Sequence, residues 1–216
     1  MHDGGRRACT TLIMIRHGET EWNRQRRMQG QADSPLSATG RAQARALAEK
    51  IAAIEFAALY ASDLGRAYET ARVIAQRTGR TLIAEPRLRE RGFGIFEGLT
   101  HEEMMRDFPH EHRLFRGVDP DYAVPGGESA RQCAARAVAF LDHIVGRHAG
   151  ETVVAVSHGM VLGSIYRHVT GQPLTAPRNF QLFNAGLNVL RCDGGCWAVE
   201  TWGDVDHLGA DAVTPM

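Results

Sequence analysis

The sequence predicts an α/β fold: a three-layer α/β/α sandwich around a mainly parallel sheet with an antiparallel edge strand. Three observations carry this. Short apolar, β-prone runs alternate with helical patterns, the signature of βαβ units that cover both faces of a sheet. The two most apolar runs, Thr11–Ile15 (TLIMI) and Thr152–Val156 (TVVAV), lack polar alternation, as strands buried on both faces do. Two further β-prone runs near the end are joined by Asp193-Gly194-Gly195, a turn sequence that pairs its flanks antiparallel.

The elements follow in chain order. After the Thr11–Ile15 strand, Thr39–Ile54 is Ala-rich, with Ala44, Leu47, Ile51 and Ile54 on one helical face. Ala58–Ala61 is a short strand, and Ser62 or Asp63 offers an N-cap to a helix running to about Arg77, before Gly79. Leu82–Ala84 is another short strand. Residues 100–127 are irregular, with a short helix near Glu102–Phe108 and then a loop. Pro125-Gly126-Gly127 leads into a helix over Glu128–Val145, whose Ser129 and Gln132 form a capping box and whose core stripe is Ala134, Val138, Leu141 and Val145. The Thr152–Val156 strand feeds a helix from about Met160 to Val169, and strands near Leu187–Arg191 and Trp197–Thr201 complete the sheet.

At 216 residues the chain is long enough for one sizeable core. Lys+Arg and Asp+Glu both number 25, so no global field recruits nucleic acid or an anionic membrane, and anion recognition must be local. No apolar run approaches the roughly 20 residues of a membrane span. The start, MHDGGRRACT, lacks an apolar signal-peptide core, and four cysteines in a chain this long imply no disulfide framework. A cytoplasmic protein is expected. Cys192 and Cys196 flank the Gly-Gly turn and are read as unpaired thiols.

The two buried strands finish alike, TLIMIRHG and TVVAVSHG, each delivering a histidine (His17, His158) before a glycine. Ligands of open α/β sheets sit outside the carboxyl ends of strands, and Gly18 and Gly159 permit close backbone approach there. Two histidines on one rim admit a metal site, an acid–base pair, or a nucleophile with a helper. The neighbours favour the last. Arg16 abuts His17, and Arg66 opens the helix of SDLGRAYET; guanidinium forks fit planar oxyanions and repel cations. A phosphate site with no metal and no cofactor is therefore expected. In it, a neutral imidazole attacks phosphorus while its other nitrogen is held as a donor. Arg16, Arg66 and, if protonated, His158 would neutralise the phosphoryl oxygens. Glu90 in RLRERGFGIFEG is the candidate proton donor, with Glu97 competing.

RHGETEWN, SDLGRAYET, LRERGFGIFEG, PGGES and SHGM occur in that order. Together they resemble the histidine phosphatase superfamily, also called the phosphoglycerate mutase-like family, over about Leu12–His168. The resemblance implies a phosphoglycerate mutase-like fold with residues 11–205 as one catalytic domain. Residues 1–10 would then be a disordered lead-in, 100–127 an excursion over the active site, and 206–216 a tail. It further implies His17 as the phosphorylated nucleophile, Arg16, Arg66 and His158 as its phosphate pocket, and Glu90 as the proton donor. Asn23 matches a position that reaches the phosphate, Thr20 lies on the same loop, and Gly159 can lend its N–H. The family's mutases carry a longer basic insertion where this chain has only Leu99–Val124. A metal-independent, acid-phosphatase-type phosphatase of the short, broad-specificity branch, acting on small phosphate esters, is therefore expected. A phosphoglycerate mutase with the same phosphohistidine is the alternative, and a non-catalytic phospho-ligand module the third reading.

His110, His112, Arg113 and Arg116 in the excursion would, by the same resemblance, meet the non-phosphate half of a substrate. The basic run Arg24–Arg27 is read as a solvated loop near the anion site, and Trp22 and Phe93 as packing residues. No nucleic-acid or membrane partner is expected. The tail strands could pair two copies as a homodimer.

Overall fold

A computed structural model describes residues 9–117, 119–209 and 213. Thr10, expected in the lead-in, opens the first strand, while residues 1–8 of that lead-in and six of the eleven residues of the expected tail lie outside the described residues. Within them, Leu208 and Val213 pack into the core.

The strands are β1 (Thr10–Arg16), β2 (Ala58–Ala61), β3 (Leu82–Ala84), β4 (Thr152–Ser157), β5 (Leu187–Asp193) and β6 (Cys196–Asp204). They form one sheet in the order β3-β2-β4-β1-β5-β6. β3, β2, β4 and β1 run parallel, and antiparallel pairing is confined to the edge built by β5 and β6. The helices are α1 (Glu21–Arg24), α2 (Ala38–Ala52), α3 (Gly65–Thr78), α4 (His101–Asp107), α5 (Pro109–Arg116), α6 (Ala130–Arg147) and α7 (Gly159–Val169).

Alternation along each central strand makes the three layers. Leu12 and Met14 of β1, with Val153 and Ala155 of β4, face α6 and α7. Ile13 and Ile15, with Val154 and Val156, face α2 and α3. Both faces are covered, which explains why these strands read as unbroken apolar runs. Each such Leu, Ile, Met or Val side chain, fully buried, stabilises the fold by about 1.5–3 kcal/mol.

Several local expectations are corrected. The buried stripe of α6 is Cys133, Ala137, Phe140, Leu141 and Ile144; only Leu141 was placed correctly. The helix is rotated so that the larger Phe140 and Ile144 fill the core in place of Ala134 and Val138. α2 ends before Ile54, and neither Ser62 nor Asp63 caps α3, whose N-cap is Leu64 without a side-chain bond. The capping carboxylate comes from far away: Asp33 Oδ1 accepts from the Arg66 N–H at 3.3 Å. The stretch read as a loop after Phe108 contains helix α5, with Pro109 at its first turn, where a missing N–H costs nothing. The one-turn helix α1 was not anticipated; it is held by a Thr20–Asn23 capping box. Cys192 and Cys196 are free thiols.

The excursion packs around its own small cluster of Phe93, Phe96, Met104 and Val124, with Phe108 and Phe115 against it. No helix among the described residues is long and apolar enough to cross a membrane.

Candidate active site

Adjacency of β1 and β4 brings the histidines together. Arg16 pairs with Ser157 in the parallel register, so the next residue of each strand, His17 and His158, leaves the sheet at one rim. The rings lie 5.1 Å apart between centroids, tilted by 57°. Both are almost completely buried. The site is thus set by strand register, with each motif supplying one side chain.

His17 is held by both ring nitrogens. Nδ1 lies 2.7 Å from the Gly18 carbonyl oxygen, and a carbonyl only accepts, so Nδ1 carries the proton. Nε2 is unprotonated and accepts the Arg66 Nε–H at 3.3 Å, a long bond that occupies its one lone pair until a substrate takes its place. Burial, then the charges of Arg66 and Arg16, push the His17 pKa well below 6.5. The ring is neutral. His158 is neutral for the same first reason, burial, reinforced by Arg66 and His17. Its Nε2 meets Ser62 Oγ at 2.8 Å, and its Nδ1 is buried with no partner.

The arginines divide the work. Arg66 is 1% exposed. Its Nη1 donates to the Ala32 carbonyl at 3.0 Å and Asp33 Oδ1 at 3.1 Å, and its Nη2 to the Gly30 carbonyl at 2.7 Å. Loop 30–33 therefore fixes it against His17. Arg16 is buried, yet its Nε and Nη1 have no partner. Burial lowers its pKa to about 10, and Glu90 opposes that shift. A buried cation with unused donors is costly, and an oxyanion is the group that satisfies it.

Glu90 is buried at the same cavity. Its Oε1 accepts from the N–H of Arg91 at 2.9 Å and of Met160 at 3.1 Å. Its backbone is fixed by the PGGES segment and α6: Arg136 donates to the Glu90 carbonyl at 2.9 Å and pairs with Glu128. Glu97, the competing carboxylate, is a loop organiser. It accepts the backbone N–H groups of Gln31, Ala32 and Phe93.

These residues surround a cavity of about 560 Å³ lined by Arg16, His17, Asn23, Arg66 and Glu90. His158 stands beside His17 without lining it. Asn23 reaches the wall as expected, but Thr20 does not. Thr20 is fully buried, and its hydroxyl caps α1 and meets Asn23 Oδ1 at 3.1 Å. Gly159 lines a neighbouring cavity. Gly18 is small for an internal reason rather than a ligand's: a Cβ there would lie 2.7 Å from the Gly40 carbonyl at the start of α2. Arg113 and Arg116 also lie elsewhere, in a separate groove with Met105 and His112; the excursion offers the cavity Phe115 instead. The read of Phe93 as packing is half complete, since it lines the cavity too.

Sequence reasoning missed Gln29, Gly30 and Asn184. Asn184 Nδ2 donates to the His17 carbonyl at 2.9 Å and approaches Asn23 Oδ1 at 3.4 Å. Its only signal was a lone Asn in the FQLFNAG turn before β5. Among the described residues, no group of three or more His, Cys, Asp or Glu is placed to hold a metal ion.

The family model described as "Histidine phosphatase superfamily (branch 1)" matches residues 12–205. Phosphoglycerate mutase-like protein 4 of Arabidopsis thaliana is 37% identical over 201 residues, covering 91% of this chain and 86% of the relative. The metal-independent phosphoserine phosphatase of the same plant is 38% identical over 204 residues, covering 93% and 84%. The solved structure of Bacillus stearothermophilus YhfR superposes with a TM-score of 0.84 at 39% identity, covering 92% of this chain and 98% of that one.

Proposed function

The chain belongs to the histidine phosphatase superfamily, and from that premise we propose that it is a phosphomonoesterase acting on small phosphorylated metabolites through a phosphohistidine on His17. One observation carries the reading. His17 presents an unprotonated Nε2, held only by a 3.3 Å bond from Arg66, with its Nδ1 locked on the Gly18 carbonyl and the unused donors of buried Arg16 beside it.

The chemistry follows from that placement. Nε2 of neutral His17 attacks phosphorus in line, the P–O bond of the ester breaks, and positive charge develops on the imidazole. The Nδ1–H bond to Gly18 stabilises that imidazolium as it forms. Arg16 supplies N–H donors to the equatorial phosphoryl oxygens, and Arg66, held by loop 30–33, adds its charge. Neutral His158, bonded to Ser62 Oγ at 2.8 Å, stands beside the His17 ring. Glu90 gives its proton to the leaving alkoxide. It then takes one from water, which attacks the phosphohistidine, breaks the P–N bond and releases inorganic phosphate.

Charge neutralisation by arginine makes a divalent metal unnecessary. The test is hydrolysis of p-nitrophenyl phosphate in EDTA, with His17→Ala as the control. Turnover that survives chelation and disappears in the variant supports the reading, and activity restored only by added metal overturns it. Incubation with 3-phosphoglycerate separates hydrolysis from mutase chemistry: free phosphate is the expected product, and net 2-phosphoglycerate would replace phosphatase by mutase.

A further inference from the structure

A second cavity, of about 280 Å³, lies beside the first and shares Met160 with it. Its wall comes from α7 (Gly159, Met160, Gly163, Ser164, Arg167) and from Leu174, Arg178, Phe180 and Leu182 of the segment leading to β5. None of its lining residues is a carboxylate. Two guanidinium groups therefore face one confined space without an acidic residue in its wall.

The arginine of α7 is fixed there. Arg167 Nη2 donates to the Ala176 carbonyl at 3.0 Å, Nη1 reaches the Gly163 carbonyl at 3.3 Å, and the guanidinium sits 5.1 Å from the centre of the Phe180 ring. Its Nε is buried without a partner. Burial and the charge of Arg178 both lower its pKa, with no acid opposing them. The positive charge of Arg178 also contributes to lowering the pKa of Arg16 in the first cavity. Like charges lining one cavity repel, and an oxyanion there would accept from the orphaned Arg167 Nε–H and be drawn by both guanidinium charges.

We infer that Arg167 and Arg178 form a second oxyanion subsite next to the catalytic pocket, taking a carboxylate or phosphate group. Two sources can supply that group: a second acidic group on the substrate, or free inorganic phosphate. The substrate source rests on the phosphatase reading; binding of a free anion does not.

Two measurements decide it. The first is calorimetric titration of sulfate into protein saturated with vanadate, which fills the pocket at His17. One sulfate bound per chain, weakened at least tenfold by Arg178→Gln and retained by Arg167→Lys, supports the subsite with a free anion as its ligand. The second compares kcat/KM for phenyl phosphate and carboxyphenyl phosphate. If the substrate's own acid group uses the subsite, Arg178→Gln lowers kcat/KM about tenfold for the carboxylated ester and less than twofold for phenyl phosphate. Arg178 is exposed, so its replacement leaves the core intact. No sulfate binding together with equal effects on both esters overturns the subsite. Failure of vanadate to bind, or of both esters to turn over, would strike the phosphatase reading instead, and sulfate titration of the untreated protein with the same two variants then decides the subsite alone.

Discussion

Arg66 aims its Nε at Nε2 of His17 from 3.3 Å, while its two Nη atoms are tied to loop 30–33. The contact makes the orientation of the ring depend on an arginine 49 residues away in the chain, and that arginine on a loop outside both β1 and α3.

Replacing Arg66 by Lys keeps the charge and removes the fork. Turnover should fall on the order of 10²-fold, the cost of losing one positioned donor to a developing charge. The carbonyls of Gly30 and Ala32 lose their donor, so denaturant unfolding should show a loss of about 1–3 kcal/mol. Retention of near-normal turnover by the Lys variant would show that charge alone suffices.

Glu90→Gln removes the proton donor without changing shape. Alkyl phosphates, with poor leaving groups, should lose about 10²–10⁴-fold, and p-nitrophenyl phosphate much less in the first chemical step. Burst kinetics with the aryl ester should show faster phosphorylation than dephosphorylation in this variant. Equal losses for both esters in a pre-steady-state assay would move the acid elsewhere.

Glu97→Gln should behave differently. Its carboxylate holds three backbone N–H groups of the loops that carry Arg66's partners and Phe93. Stability should drop by about 1–3 kcal/mol, with any loss of turnover equal for good and poor leaving groups. A selective loss for poor leaving groups would make Glu97 the acid.

Stability should also depend on pH through the buried histidines. His17 and His158 both have folded pKa values well below 6.5. The unfolded chain takes up their protons near pH 6.5, and the folded chain does not. The unfolded state thus binds more protons below that pH, so stability is full above about 6.5 and declines as pH falls. Each histidine contributes up to about 1.4 kcal/mol per pH unit. Denaturant unfolding of wild type and of His158→Asn from pH 5 to 8 checks this: the variant should lose about half of the slope these two groups produce. A slope unchanged in the variant would mean that His158 takes up its proton equally in the folded and unfolded states, against the lowered folded pKa.

Rapid quench with a ³²P-labelled ester should trap an acid-labile, base-stable adduct on wild type and none on His17→Ala. Label persisting on the variant would remove His17 as the nucleophile.

The strands, the burial of TLIMI and TVVAV on both faces, and the placing of His17 and His158 at strand carboxyl ends were legible in the residues, because each depends on neighbours within a few positions; the pairing of β1 with β4 that joins those ends is a contact across the chain. TLIMI and TVVAV are apolar throughout, and parallel pairing of such runs leaves their carboxyl ends side by side. The roles of Arg16, Arg66 and Glu90 could be proposed because charge type and motif order travel with the chain. Other features had no local mark. Loop 30–33 gripping Arg66, Asn184 reaching back to His17, Phe115 lining the cavity, and Arg136 bracing Glu90 each join segments separated by tens of residues or more. A hydrogen bond across the fold needs only one polar atom at each end, and a single polar residue in a turn carries no period. The same reason hid the true face of α6 and the burial of Thr20: apolar or small residues stood at several equivalent positions, and only packing against the sheet chose among them.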